Sequence, residues 1–385
     1  MKRRILLSGD RSEFTTLEFD DVKGSLNILA HYSAPYNASW VERSSSYGEV
    51  DGLVGLSEGE DAGLLYTFEI NHSQKASIIT SCLPTLGAPG HFATLHDDSA
   101  IALITYLGGS IALYPKTAGA TKEVLLESLP RTELFLDFPY KSTGHGPDPS
   151  RQRQCHPHQI IETRSGLLYV PDLGSDRVWV VRRDKMKLEV SGWLQCPSGT
   201  GPRHAVLCAH EHLMYVIGEL SHTVIAFDIS GSPSDGVQPI PTFAANVIPP
   251  SVAPGHQSQM DSSEICSHPK IPNVLYVSNR WEKHIARREP YLEDVPTKLP
   301  SGDAIAIILL SGDGRSVSEI KHIRTAVDVI RGMRLSEDGR YVVVLGQEDG
   351  DVEIYEITGN RGDSWKLVTS LSGCLDAGLK HVVWL

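Results

Sequence analysis

Short apolar runs rich in Val, Ile, Leu and Tyr recur along the whole chain, separated by turns rich in Gly, Asp, Asn and Ser. No long stretch keeps the 3.6-residue period of an amphipathic helix. Apolar runs bounded by such turns are typical of buried β-strands. The pattern therefore predicts an almost entirely β protein.

A longer unit repeats within this pattern, namely a polar turn, an apolar strand, a second turn and another strand. Copies lie at residues 63–70, 98–114, 165–181, 212–228, 273–280 and 338–356. Their separation of roughly 45 to 70 residues is that of a four-stranded propeller blade with loop insertions. We interpret residues 48–63, which are acidic and rich in Gly, as an insertion in the first repeat.

The two chain termini complete the count of blades. Residues 380–385 are apolar to the last position, and residues 5–7 are a matching apolar run. Pairing them would close the ring and protect both strand edges. The fold class expected is an all-β, seven-bladed β-propeller, with residues 1–385 forming one domain. A two-domain alternative needs a linker at 141–153 or 237–259, but both are flanked by copies of the repeat, and we interpret them as long loops.

Composition limits the partners. The net charge of −12, from 35 basic and 47 acidic residues, argues against binding to nucleic acid or to an anionic membrane. The N-terminus has too short an apolar run for a signal peptide or a membrane span. Six scattered cysteines without a secretory signal indicate reduced thiols and a cytoplasmic protein. The composition is compatible with either a monomer or a homo-oligomer.

Two histidines, His156 and His158, stand two residues apart just before an apolar strand. In extended chain their side chains would face the same side. Such a pair can chelate a metal, but zinc needs a third and a fourth ligand that no nearby spacing supplies. The other interpretations are an acid/base role for at least one of them, or a pair of hydrogen-bonded core histidines.

Two arginines, Arg203 and Arg280, lie at the ends of apolar strands, where an unpaired guanidinium is costly. They could pair inside the protein, Arg203 with Glu264 and Arg280 with Glu219, or they could clamp an anionic ligand. Glu219 could shuttle a proton or act only as a counter-ion. No nucleophile elbow, P-loop or dinucleotide fingerprint is present in the sequence.

These motifs together resemble a known family. Gly144-His145-Gly146-Pro147, Cys155-His156-Pro157-His158-Gln159, Gly201-Pro202-Arg203-His204 and Ser278-Asn279-Arg280 are similar to motifs of the lactonase family of seven-bladed propellers. That family includes 6-phosphogluconolactonases of the cycloisomerase type and fungal carboxy-cis,cis-muconate cyclases. The C-terminal residues 382–385 and the long insertion at 231–259 resemble the fungal branch.

The resemblance implies a site and a reaction. It places a catalytic histidine at His156 or His158, with Glu219 and the arginines Arg203 and Arg280. We add His204, Glu264 and His91 as predicted substrate-binding residues. The expected reaction is lactone closure on an unsaturated di- or tricarboxylate such as 3-carboxy-cis,cis-muconate, with the arginines holding the carboxylates and no metal or other cofactor.

Two other functions remain open at this point. The first is the reverse chemistry, hydrolysis of a sugar-phosphate lactone, in which the arginines would bind phosphate. The second is a non-catalytic propeller scaffold, which would spread charged and aromatic residues over the outer rim. The concentration of ionisable residues at strand entrances favours a pocket that binds a small anionic molecule.

Overall fold

The computed structural model describes residues 1–59, 61–118, 124–126, 132–231, 239–285 and 299–385. Within these ranges the chain forms seven antiparallel sheets. Two short 3-10 helices, His256–Gln259 and Glu282–His284, lie in loops. In the part of the chain described, no helix is long and apolar enough to cross a membrane.

The strands follow one another sheet by sheet along the chain. Sheet 1 holds β1 (Lys2–Gly9), β2 (Glu13–Asp20) and β3 (Ser25–Ser33), and sheet 2 holds β4 (Trp40–Tyr47), β5 (Val50–Ser57), β6 (Leu64–Asn71) and β7 (Ala76–Pro84). Sheet 3 holds β8 (Pro89–Thr94), β9 (Ala100–Thr105) and β10 (Ser110–Ala118), with β11 (Val124–Leu126) and β12 (Thr132–Phe135) both paired to β10. Sheet 4 holds β13 (Ile161–Glu162), β14 (Leu168–Asp172), β15 (Arg177–Asp184) and β16 (Lys187–Gln195).

The remaining sheets repeat this order. Sheet 5 holds β17 (Pro202–Leu207), β18 (Leu213–Gly218), β19 (Thr223–Asp228) and β20 (Pro241–Asn246). Sheet 6 holds β21 (Asp261–Ser267), β22 (Val274–Arg280), β23 (Ala304–Leu310) and β24 (Val317–Arg324). Sheet 7 holds β25 (Ile330–Leu335), β26 (Tyr341–Gly346), β27 (Val352–Thr358) and β28 (Ser364–Leu371), and β29 (Leu379–Trp384) joins sheet 1.

The ring closes through the two termini, as the sequence predicts. β29 pairs with β1 in antiparallel register, with Ile5 opposite Trp384 and Leu7 opposite Val382. Each sheet also contacts the next, and sheet 7 contacts sheet 1. The seven-bladed, all-β propeller is thereby confirmed.

Packing between blades explains why the middle strands are apolar along their whole length. β26 is buried at every position, because a neighbouring sheet covers each of its faces. Seven apolar clusters are found among the described residues, each between two adjacent sheets. The outer strand β28 has no such cover, so each of its residues is either exposed or only partly buried. The repeated apolar units of the sequence are these middle strands.

Two interpretations of inserted segments need correction. Half of residues 48–63 form β5, a strand with seven of its eight residues buried, and its glycines are required by close packing. A Cβ on Gly55 would lie 2.7 Å from the Tyr66 ring. The loop interpretation of 237–259 is also wrong in part, since Pro241–Asn246 is the outer strand β20. Val237 and Gln238 lie outside the described residues.

Candidate functional site

The innermost strand of each blade is β29 in sheet 1 and the first strand in sheets 2 to 7. These strands meet around the ring axis, where β17 contacts β21, β21 contacts β25, and β29 contacts both β25 and β4. Several of these inner strands carry a β-bulge at the same end. The register skips Arg203 in β17, Arg331 in β25 and Lys380 in β29, and in β21 it skips Ser263 with Glu264. A bulge re-aims the side chain of the extra residue. The repeated bulge therefore concentrates charged groups at one end of the axis.

Glu219 is the centre of this charged group. It directly follows β18, and its backbone N–H donates to the carbonyl of Gly201 at 2.8 Å. Its carboxylate pairs with Arg203 (Nε to Oε2, 2.9 Å), with Arg280 (Nη2 to Oε2, 3.3 Å) and with Arg151 through Oε1. Burial alone would raise the pKa of Glu219, but Arg280, Arg151 and Arg203 outweigh it and lower that pKa to about 2.

Arg203 belongs to a second, deeper layer. Its side chain is 2% exposed, and Nη1 donates to Oε1 of Glu264 at 3.1 Å and to the carbonyl of Ser263 at 2.7 Å. The other carboxylate oxygen of Glu264 lies 3.0 Å from Nδ1 of His204. Both ion pairs that the sequence suggested as structural, Arg203 with Glu264 and Arg280 with Glu219, are present.

Below this layer, aromatic rings fill the axis. The indole of Trp40 lies with its centroid 4.2 Å from the ring of His91, 4.0 Å from that of His381 and 5.7 Å from that of His204. Burial lowers the pKa of all three histidines, for His381 to about 4. They are therefore neutral near pH 7, and their rings pack around Trp40 next to the charged layer.

A cavity of about 700 Å³ opens above the charged layer. Of the residues predicted from sequence, His158, Glu219 and Arg280 line it. The other predicted residues lie behind or beside its wall: His156, Arg203, His204, Glu264 and His91. Residues that sequence reasoning missed complete the lining, and these include Tyr106, Arg151, Asp261, Trp281 and Arg331.

His156 and His158 lie on two sides of one tyrosine. The His156 ring stacks on Tyr106 with 4.5 Å between centroids, and its Nδ1 lies 3.0 Å from the Tyr106 carbonyl oxygen. The His158 ring meets the same tyrosine edge-on at 5.5 Å. His156 is thus held by the backbone, whereas His158 faces the cavity.

His158 has an unused ring nitrogen. Its Nδ1 is buried and has no hydrogen-bond partner among the residues that the structure describes. Burial and the charges of Arg203 and Arg331 lower the pKa of His158 well below its usual range. At neutral pH the cavity wall therefore contains a neutral imidazole, and one of its ring nitrogens keeps an unused hydrogen-bonding capacity.

Arg331 differs from the other guanidinium groups of the wall. Arg280 and Arg151 both pair with Glu219, and Arg151 also lies 3.3 Å from Asp261. Arg331 makes no ion pair with any residue in the described ranges, although it lines the same cavity. The one sequence feature that points to Arg331 is its position as the second residue of an inner strand, which Arg203 shares. Its neighbours Ile330 and Gly332 do not mark it as a site residue.

Arg151 reaches the site from a loop, so its position depends on how that loop is anchored. The adjacent Gln152 is fully buried, and its Nε2 donates to the carbonyl of Leu173 and to Oδ1 of Asp176, both at 2.9 Å. Its Oε1 accepts from the backbone of Asp148 at 3.0 Å. The sequence shows a Pro/Gly-rich loop here, but the contacts of Gln152 with blade 4 and within the loop determine where Arg151 lies.

A seven-bladed propeller with a guanidinium-lined cavity at one end of its axis is the class that the fold and the site define. Residues 7–373 match the family model described as "Lactonase, 7-bladed beta-propeller". The protein therefore belongs to this lactonase family.

Individual relatives agree with that assignment. A protein of Arthroderma benhamiae described as "Probable 6-phosphogluconolactonase" is 25% identical over 363 residues, covering 92% of this chain and 82% of the relative. Among solved structures, a Lactobacillus plantarum protein has a TM-score of 0.79 at 20% identity, with all of both chains covered. The periplasmic gluconolactonase PpgL of Pseudomonas aeruginosa has a TM-score of 0.75 at 17% identity, covering 100% of this chain and 99% of its own. At these identities the structures show the shared fold.

Proposed function

We propose that the protein hydrolyses the lactone ring of an anionic sugar lactone, with 6-phosphogluconolactone as the first substrate to test. The observation that carries the proposal is the neutral imidazole of His158, which lines a cavity with Arg280 and Arg331 and whose buried Nδ1 has no partner in the described chain. Membership of the lactonase family and the name of the Arthroderma benhamiae relative support this choice.

His158 has the properties of a general base for water. A base must be unprotonated at the working pH and must have a nitrogen free to accept the proton. The lowered pKa of His158 provides the first property and the unpartnered Nδ1 the second. In the proposed step, water adds to the lactone carbonyl as its proton moves to His158. The proton then moves to the ring oxygen when the C–O bond of the tetrahedral intermediate breaks.

The arginines would stabilise negative charge. Arg280 and Arg151 are held in place by Glu219, so a guanidinium is already oriented where a carbonyl oxygen becomes an oxyanion. Such preorganised donors typically contribute about 10²–10³-fold to the rate. Arg331, which has no carboxylate partner in the described chain, would bind the phosphate or another anionic group of the substrate. Glu219 is the counter-ion that orients its arginines, because a carboxylate of such low pKa has no proton to donate at neutral pH.

Closure of a lactone from a muconate-type polycarboxylate is the second candidate. Two guanidinium groups on the cavity, Arg280 and Arg331, would suit a substrate with two or more carboxylates. That reaction needs a proton donor for the carbon next to the new ring bond. His158 is neutral and Glu219 ionised near pH 7, so the site is better supplied with a base than with an acid. We therefore place hydrolysis first.

A substrate panel distinguishes these functions. The purified protein is mixed at pH 7 with 6-phosphogluconolactone, with unphosphorylated gluconolactone and with 3-carboxy-cis,cis-muconate. Acid release measures hydrolysis, and ultraviolet absorbance measures loss of the muconate. Hydrolysis predicts acid release above the spontaneous rate, with the phosphorylated lactone preferred. Loss of muconate absorbance without lactone hydrolysis would establish the cyclase, and no reaction with any compound would favour the scaffold.

A further inference from the structure

One buried carboxylate joins two loops at the rim of the cavity. Asp303, immediately before β23, has no solvent exposure. Its Oδ1 accepts the backbone N–H of Glu282 at 2.7 Å, and its Oδ2 accepts the backbone N–H of Val329 at 2.6 Å. Glu282 follows β22 in sheet 6, and Val329 precedes the first strand of sheet 7. Each oxygen of one side chain thus holds a different blade.

Both loops contain a residue in an unfavourable backbone conformation. Trp281, which precedes Glu282, has φ = 76°, and Val329 has φ = 61°. Left-handed conformations are uncommon for residues other than Gly, and a β-branched residue such as Val is an outlier there. These conformations persist only when the surrounding structure holds them, and they cluster at functional sites. Asp303 binds the amide of Val329 itself and the amide directly after Trp281.

The held residues bring two groups to the cavity. Trp281 lines the cavity beside Arg280, and Val329 lies two residues before Arg331, which lines it from the neighbouring blade. A second carboxylate reinforces the same link, since Asp328 lies 2.9 Å from Nε2 of His284 and 3.4 Å from Nζ of Lys283. The wall formed by Trp281 and Arg331 therefore depends on contacts between blades 6 and 7.

We propose that Asp303 is a positioning residue that clasps these two loops and thereby sets Trp281 and Arg331 at the distance that the substrate requires. A carboxyl group is needed because two N–H donors converge on two separate oxygens. Burial raises the pKa of Asp303 to about 7, and these two N–H groups oppose that shift by favouring the carboxylate. An asparagine offers one accepting oxygen and an NH₂ group, so it can satisfy one donor but not both. The consequence for catalysis rests on the proposed lactone hydrolysis, whereas the clasp itself does not.

The clasp can be tested in the unaltered protein. Backbone amides of surface loops usually exchange rapidly with solvent deuterium. We expect the amides of Glu282 and Val329 to exchange as slowly as those in strands β22 and β26. Exchange of both amides at the rate of an open loop would overturn the clasp, whatever reaction the protein catalyses.

Asp303→Asn tests the positioning role. The parent and each variant are made both with Trp281 and with Trp281→Phe. The difference in acrylamide quenching of fluorescence between the two forms then reports on Trp281 alone. We expect Asp303→Asn to increase quenching of Trp281 and to lower kcat/KM for 6-phosphogluconolactone about tenfold or more, mainly through KM, since small misplacements of binding groups are costly. Asp228→Asn is the matched control, because Asp228 also accepts a backbone N–H, that of Ser230 at 2.9 Å, but lies at the other end of its sheet. It should change neither reading.

Val329→Gly provides the rescue. Glycine adopts positive φ without strain, so a protein with Gly at position 329 depends less on Asp303 to hold that loop. Asp303→Asn should therefore lower kcat/KM less in the Val329→Gly protein than in the parent. An equal loss in both backgrounds, or unchanged quenching and KM in a folded Asp303→Asn protein, would overturn the proposal. If the parent hydrolyses no lactone, the proposed function fails, and exchange and quenching still decide the clasp.

Discussion

Arg203 donates to Glu264 across the boundary between blades 5 and 6, with 3.1 Å between Nη1 and Oε1 and both side chains largely buried. The same guanidinium lies 2.9 Å from Glu219. With two carboxylate partners and no place in the cavity wall, Arg203 links the two blades beneath the site. The side chains that can contact a substrate are those that line the cavity above Arg203.

Replacement of Arg203 should therefore destabilise the fold. Arg203→Met takes one of three guanidinium partners from Glu219 and leaves Glu264 paired with His204. Breaking a buried pair costs up to about 3–5 kcal/mol. We expect a clearly lower melting temperature. The matched control is Arg331→Met, which removes a guanidinium with no ion pair in the described chain and should keep the melting temperature near that of the parent. An unchanged melting temperature for Arg203→Met, with loss of anion binding, would instead make Arg203 a ligand clamp.

Glu219→Gln should cost stability in a pH-dependent way. The folded-state pKa of about 2 lies below the ordinary value of 4.5, so the stabilisation is fully present above about pH 4.5 and is lost as the pH falls toward 2. The shift corresponds to about 3 kcal/mol. Urea unfolding at several pH values should show the parent more stable than the variant at pH 7, with the gap closing in acid. A gap that does not depend on pH would contradict this account.

The activity profile should stay flat to unusually low pH. Because burial, Arg203 and Arg331 keep the pKa of His158 below its usual range, kcat/KM for gluconolactone should not fall between pH 8 and about pH 6, where an ordinary histidine titrates. This lactone has no phosphate that could titrate in the same range. Arg331→Met removes one of the depressing charges and should move the acid limb upward. An identical acid limb in parent and variant would argue against His158 as the titrating base.

Arg331 should also determine preference for an anionic substrate. Charge-assisted hydrogen bonds to phosphate contribute about 1.5–3 kcal/mol, so Arg331→Met should raise KM about tenfold or more for 6-phosphogluconolactone and much less for gluconolactone. Steady-state kinetics with the two lactones measures the difference. Equal changes in KM for both would place the phosphate elsewhere.

The fold could be predicted because its signals are local and repeated. In the middle strands, such as β26, and at the two termini, burial is visible in the sequence as an unbroken run of apolar residues. β5 was missed because Gly52 and Gly55 replace side chains there, and the need for them comes from Ser45 on β4 and Tyr66 on β6. That requirement is a tertiary contact, which the pattern of one strand does not contain.

The site could be predicted only in part. The sequence grouped Glu219, Arg203, Arg280 and His158 correctly as neighbours, since they stand at equivalent ends of successive strands. Their depth was not predictable, because Arg203 and Arg331 occupy the same bulge position in β17 and β25. Tertiary contacts separate them: Arg203 pairs with Glu219 and Glu264, whereas Arg331 lines the cavity. The role of each residue in catalysis stays a prediction.

The most direct test of the account is the turnover of 6-phosphogluconolactone by His158→Ala compared with the parent, after extensive chelation of both. His156→Ala is the matched control, because His156 stacks on the same tyrosine but does not line the cavity. We predict that His158→Ala lowers kcat about 10²–10⁴-fold with little change in melting temperature, that added imidazole restores part of the rate, and that chelation leaves the parent active. Parent-like kcat in a folded His158→Ala protein, or loss of parental activity on chelation, would contradict the proposal that a neutral His158 activates water without a metal.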